Sequence, residues 1–205
     1  TAFAGDGSAL TGVGGGVTSD SEGNTVAGTD AGASFSGTNA VDNTLFGKNA
    51  GNAITTGDSN VAVGRNALEL ATTQSLNVAV GLQALTAATS PENTAVGGAA
   101  GRYIGSGGYN VAIGRSAMHS SFSSGAGQGS GGNNVAVGHN SMFSITSGSD
   151  NICIGQEAGS DITTASHSVA IGHDALTSIT TTGGNIGIGM HAGKLVTTGY
   201  GVVYI

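Results

Sequence analysis

The chain has no tryptophan, one proline (Pro91) and one cysteine (Cys153). Large aromatics are scarce as well, four tyrosines and five phenylalanines in 205 residues, so any core is built from small aliphatic side chains and is thin. A lone cysteine excludes a disulfide within the chain, and Cys153 reads as a small buried hydrophobe because it stands where the repeat otherwise has alanine. Only 8% of the residues are charged, against roughly 25% in ordinary soluble domains. Five Lys and Arg face twelve Asp and Glu, a formal charge of −7. That balance speaks against nucleic acid as a partner, since a polyphosphate calls for a basic stripe. No apolar run approaches the ~18 residues of a membrane helix, so membrane insertion is not expected. No signal peptide is visible at Thr1, which suggests a processed or excised start.

What the chain does have is glycine, 39 residues of it, with Ala, Val and Ile placed at regular intervals. The regularity separates it from disordered Gly/Ser-rich chains, which lack the apolar surface to fold. The clearest copies of a short unit are Asn60 to Gly64, Asn77 to Gly81, Asn110 to Gly114 and Asn134 to Gly138. Asn43 to Gly47, Asn93 to Gly97, Asn151 to Gly155, Ser168 to Gly172 and Asn185 to Gly189 are variants, and Asn24 to Gly28 is a degenerate first copy. The closing glycines fall at 28, 47, 64, 81, 97, 114, 138, 155, 172 and 189, with gaps of 19, 17, 17, 16, 17, 24, 17, 17 and 17. A period of 17 residues is the mark of a stacked repeat. In the same register, a small residue follows three positions after the glycine (Ala50, Ala67, Ala84), an apolar one seven after (Ile54, Ala71, Ile162), and then Thr/Ser pairs such as Thr55-Thr56 and Thr180-Thr181.

These columns predict an all-β fold, a parallel β-solenoid (β-roll) of about ten 17-residue two-strand coils. One strand is the Asn-Val-Ala-Val segment and the second is centred on the apolar residue and the Thr pair. Residues 1–23 are expected to be a leader or connector and 24–205 the solenoid, a segment of a longer fibre because Gly201 to Ile205 reads as the strand of another coil. The glycine serves a positive φ or a close backbone approach at a corner, and stacked asparagines suit an amide ladder. In Val78-Ala79-Val80 the valines point one way and Ala79 the other. A strand apolar on both faces is usually covered on both. The alanine face is therefore expected to meet another subunit, in a cyclic homo-oligomer.

The Asn-Val-Ala-Ile-Gly-x-x-Ala pattern resembles the repeat tract of phage tail-fibre and tail-fibre-domain proteins, and the head of trimeric autotransporter adhesins. Asn60 to Gly64, Ala67-Leu68 and Thr72-Thr73 match the longer tail-fibre unit, as do Ser168 to Gly172, Ala175-Leu176 and Thr180 to Gly183. Phe3 to Gly12 is similar to a segment found in many viral fibres. The resemblance implies a left-handed homotrimeric β-roll displayed outside a virion, partnered by itself and by a host cell-surface glycan or protein. A bacterial cell-surface adhesin head is the alternative. An ice-binding solenoid is a minor one, since the Thr array is interrupted at Thr89-Ser90 and Gly105-Ser106.

No enzyme is expected. Catalysis by a solenoid of this kind needs clustered carboxylates, and the acidic residues lie in different columns, with Asp42, Glu92 and Asp150 reading as turn caps. No cofactor or metal is expected either: His139 and His173 are two coils apart, roughly 10 Å, too far to share an ion. The position after the glycine collects Lys48, Arg65, Arg115, His139 and His173, a mildly basic stripe or simply a solvated corner. The one long gap, between Gly114 and Gly138, holds an insertion over 120–132. With Phe122, Tyr103, Tyr109 and Phe143 near it in register, that insertion is the candidate receptor or sugar contact, the alternative being a flexible Gly/Ser loop with no role.

Overall fold

The computed structural model describes residues 17–120, 129 and 131–205. It is all-β and without a helix among these residues. Twelve strands form a single sheet in chain order: β1 (Thr18–Ser19), β2 (Thr25–Ala27), β3 (Thr44–Phe46), β4 (Val61–Val63), β5 (Val78–Val80), β6 (Thr94–Val96), β7 (Val111–Ile113), β8 (Val135–Val137), β9 (Ile152–Ile154), β10 (Val169–Ile171), β11 (Ile186–Ile188) and β12 (Val203–Tyr204). From β2 onward every pair is parallel and in register, like on like, as in Ala62 opposite Ala79 and Ala79 opposite Ala95. This is a parallel β-solenoid of about ten turns. At the spacing of ~4.8 Å between paired strands it makes a rod on the order of 50 Å long.

Each coil has one strand rather than the two expected. In the Thr segment the N–H groups do not form a ladder; they converge. Thr163, Thr164 and Ala165 all donate to Thr180 O (2.9, 3.1 and 3.2 Å), and Thr146, Ser147 and Gly148 all donate to Thr163 O. Several successive amides aimed at one carbonyl bend the chain into a corner. Coil-to-coil bonding nevertheless continues around the circuit, for example Asn66 N–H to Lys48 O (2.9 Å) below and Leu68 N–H to Ala84 O (3.1 Å) above.

The faces of the strand are also opposite to expectation. The central alanines (Ala62, Ala79, Ala95, Ala112, Ala136, Ala170) and Cys153 are wholly buried inside the coil, and the flanking Val and Ile face outward. The reason lies four residues after the closing glycine. Leu68, Leu85, Met118, Met142 and Leu176 adopt φ of 48–51° there and are buried. A bulky residue at positive φ is unusual, and here it turns a large side chain into the core that also holds Ala71, Ala88, Ile145 and Ile179 three residues further on, leaving only alanine-sized space beneath the strand. Where the strand residue is larger, the position six further on is glycine: Leu45 with Gly51, and Cys153 with Gly159, whose added Cβ would lie 2.5 Å from Cys153 Sγ.

Buried asparagines bind the coils at the other end of the strand. From Asn43 to Asn151 each backbone N–H donates to the Oδ1 of the asparagine below (2.9–3.0 Å) and each side-chain Nδ2 to the same oxygen (3.0–3.5 Å). Asp20 starts the ladder, accepting Asn24 N–H (2.8 Å) and Nδ2 (2.8 Å) as β1 turns back antiparallel on β2. The antiparallel β1 covers the first edge of the parallel sheet. Ser168 interrupts the ladder: its N–H still reaches Asn151 Oδ1 (2.9 Å), but its hydroxyl is buried without a partner.

Ser168→Asn is therefore expected to stabilise the protein by about 1 kcal/mol, the net worth of a restored buried hydrogen bond, seen as a higher urea midpoint. Gly159→Leu alone is expected to cost about 1–3 kcal/mol by overpacking. Adding Cys153→Ala recreates the arrangement of Ala170, Leu176 and Ile179, so a double-mutant cycle by the same denaturation assay should show favourable coupling of at least about 1 kcal/mol.

Candidate functional site

The outward side of the sheet is a regular surface that runs along the stacked strands. Because side chains alternate along a strand, four columns face out from each coil. Two are largely apolar: Val61, Val78, Val111, Val135, Ile152, Val169 and Ile186 in one, which Thr25, Thr44 and Thr94 interrupt, and Phe46, Val63, Val80, Val96, Ile113, Val137, Ile154, Ile171 and Ile188 in the other. In the second column Val63, Val96, Ile113, Ile154, Ile171 and Ile188 are exposed, up to 45% at Ile188, while Phe46, Val80 and Val137 are half-buried. The flanking columns carry charge. On the side after the glycine stand exposed Lys48, Arg65, Arg115, His139 and His173, the basic stripe of the sequence. On the side before the asparagine stand exposed Asp42, Glu92 and Asp150, at φ of 56–61°, where they hold a left-handed corner. The repeat residues Asn60, Asn77, Asn110, Asn134 and Asn151 lie in the buried ladder, and Gly64, Gly81, Gly114, Gly138 and Gly155 stack in the closing corner.

Of the expected receptor-contact residues, Tyr103 and Phe143 are brought together, but through a residue not anticipated, His119. Its ring meets Tyr103 edge-on (centroids 5.3 Å) and stacks on Phe143 (5.0 Å, 5° between planes). Arg102 lies over Tyr103, 4.9 Å from its centroid. The signal was present in the columns: His119 and Phe143 both stand five residues after their glycines, across the long insertion. Tyr109 is 59% exposed in the acidic edge column, away from this stack. Phe122 and most of the insertion lie outside the described residues. Burial, and then the positive charge of Arg102, hold the His119 imidazole below its ordinary pKa.

A second cluster sits on the last two full coils. Asp174 Oδ2 is 3.4 Å from His173 Nδ1, 3.4 Å from His191 Nε2 and 2.5 Å from Lys194 Nζ. The Lys194 hydrogen bond, chiefly, holds the Asp174 carboxyl below the usual carboxylate range. A comparison of histidines within one column does not reveal this group: Asp174 and His191 share a column, while His173 and Lys194 stand in others. Burial pushes the Cys153 thiol up to about 12, which makes it an inert packing group rather than a nucleophile.

Comparison of the chain with protein-family models, curated proteins and solved structures finds no match.

The half-buried His119 gives a pH prediction with a definite sign. As pH falls through histidine's ordinary value near 6.5, the unfolded chain takes up the proton before the folded one does. Stability is thus full above that value and is lost on acidification until the folded ring titrates. Denaturation series from pH 8 to pH 5 should show a smaller acid-induced loss in His119→Phe than in the parent protein.

Proposed function

We propose that this chain is a structural fibre segment that self-associates through its outward Val/Ile face, forming a homotrimeric rod in a virion tail fibre outside the cell. The observation that carries the reading is the apolar face itself. A strand apolar on both sides is normally covered on both, and contiguous exposed apolar surface marks an interaction site. The coil covers its alanine face from within, so the Val/Ile face is the one left to meet a partner.

The edges favour a second copy of the same chain. Basic residues stand along one side of the face and acidic residues along the other, and two of the acids lie within a coil of a base, Asp42 with Lys48 and Arg65 and Glu92 with Arg115, while Asp150 faces His167 of its own column (3.7 Å). Rods packed side by side with parallel axes around a common axis bring one copy's basic edge to the next copy's acidic edge, a head-to-tail contact that closes into a ring. The number three, and the viral setting, come from the resemblance of the 17-residue unit to tail-fibre repeats. A bacterial adhesin head would use the same geometry on a cell surface. In this reading the protein is not an enzyme, and its partners are its own copies and a host-surface glycan or protein, for which the Tyr103–His119–Phe143 stack is the aromatic contact.

Sedimentation equilibrium at micromolar concentration is expected to give three chains per particle. Ile113→Lys with Ile154→Lys, both on the outer face, should shift the particle toward monomer while the fold is retained by circular dichroism. A parent protein that remains monomeric overturns the proposal.

A further inference from the structure

The geometry points to a late first-row divalent metal site, of the Zn²⁺ class, formed by His173, Asp174 and His191, with Lys194 as a built-in competitor for the carboxylate. Two imidazoles and one carboxylate are the donor set of such ions, whereas Ca²⁺ and Mg²⁺ favour all-oxygen shells. The positions fit. Donor atoms bound tetrahedrally to one zinc at about 2.1 Å lie roughly 3.4 Å apart, and both histidine nitrogens are 3.4 Å from Asp174 Oδ2. All three ligand atoms lie within 4.8 Å of one another. The imidazoles are nearly half exposed, at 45% and 47% of their side chains, so small rotations bring them onto a common ion and leave a coordination position open.

The carboxylate is an independent pointer. Asp174 is 95% buried by accessible surface (5% exposed), and its Oδ1 has no hydrogen-bond partner. A desolvated carboxylate with a vacant oxygen is a strong attractor for a cation. Lys194 supplies one at present, through a chain that is 41% exposed and free to swing into solvent. All ligands come from one chain, two from one coil and one from the next, so the site does not depend on self-association and a bound ion staples the last two full coils together.

Lys194 gives the proposal a signature that unspecific binding to histidines lacks. Titration of the full chain with Zn²⁺ by calorimetry is expected to show one saturable site per chain. His173→Ala and His191→Ala should each weaken it by about tenfold or more, since even outer-shell changes cost that much. Lys194→Gln should tighten it. Co²⁺ substitution should give the visible absorption of a four-coordinate ion, absent in His191→Ala. No saturable binding, unchanged affinity in both histidine variants, or weaker binding in Lys194→Gln would each overturn the assignment.

Discussion

Everything in this fold depends on one backbone contact, the stacking of closing glycine on closing glycine. At Gly64 a Cβ would stand 2.5 Å from the carbonyl oxygen of Gly81, and the same near-contact recurs from Gly28 to Gly172. The glycines also hold φ of 127–136° along most of the column, a region other residues rarely enter. A hydrogen atom is all the corner admits, so each coil is compelled to retrace the path of the one beneath it. Exact retracing places asparagine above asparagine at the far end of the strand, where each amide oxygen receives both the backbone N–H and the side-chain Nδ2 of its neighbour. Three residues of strand, pinned at both ends, are enough to align every other column.

That division between pinned ends and a filled middle explains what was legible in the sequence. Glycine and asparagine are chosen by local backbone demands, so they recur as identical letters and reveal period, register and the parallel stack directly. The interior is chosen by volume, and volume can be met in several ways. Ala62 with Leu68, Leu45 with Gly51 and Cys153 with Gly159 fill the same space with different letters, and Gly187 and Gly193 are filled by Leu176 and Tyr204 from neighbouring coils. A conserved sum leaves no conserved column. The alternation of Val and Ala likewise shows that two faces differ without showing which is inside, because alanine is at home on either. The deciding fact is the left-handed conformation of Leu68 and its equivalents, which sends the bulk of the core in from the opposite wall. Nothing in the composition of that position announces a positive φ, since leucine and methionine are poor occupants of it.

The side-chain clusters were hidden for a different reason. A column is a one-dimensional alignment along the rod, whereas the clusters form across columns at the corners. His119 and Phe143 share a column and stack, yet Tyr103, one position further along its coil, completes the same group. Asp174 draws in His173 from beside it, His191 from directly above and Lys194 from around the next turn. Only the curvature of the corner, set by paired left-handed residues, brings those atoms within reach of each other.

The thin interior and the apolar exterior have a common origin. A coil of one three-residue strand and two tight corners encloses room for alanine, leucine and isoleucine but has no second layer with which to cover the sheet's other side. Domains otherwise resolve this by packing a sheet against a second layer, and no segment among the described residues lies on the outward Val and Ile columns. Their β-branched side chains favour strand geometry whether or not they are covered, so the local preference is met within one chain while the outward side keeps its apolar surface. In the proposed assembly a neighbouring rod supplies that second layer: the buried alanines organise one chain, and the valines and isoleucines on the reverse of the same three residues are the surface through which it would meet the next.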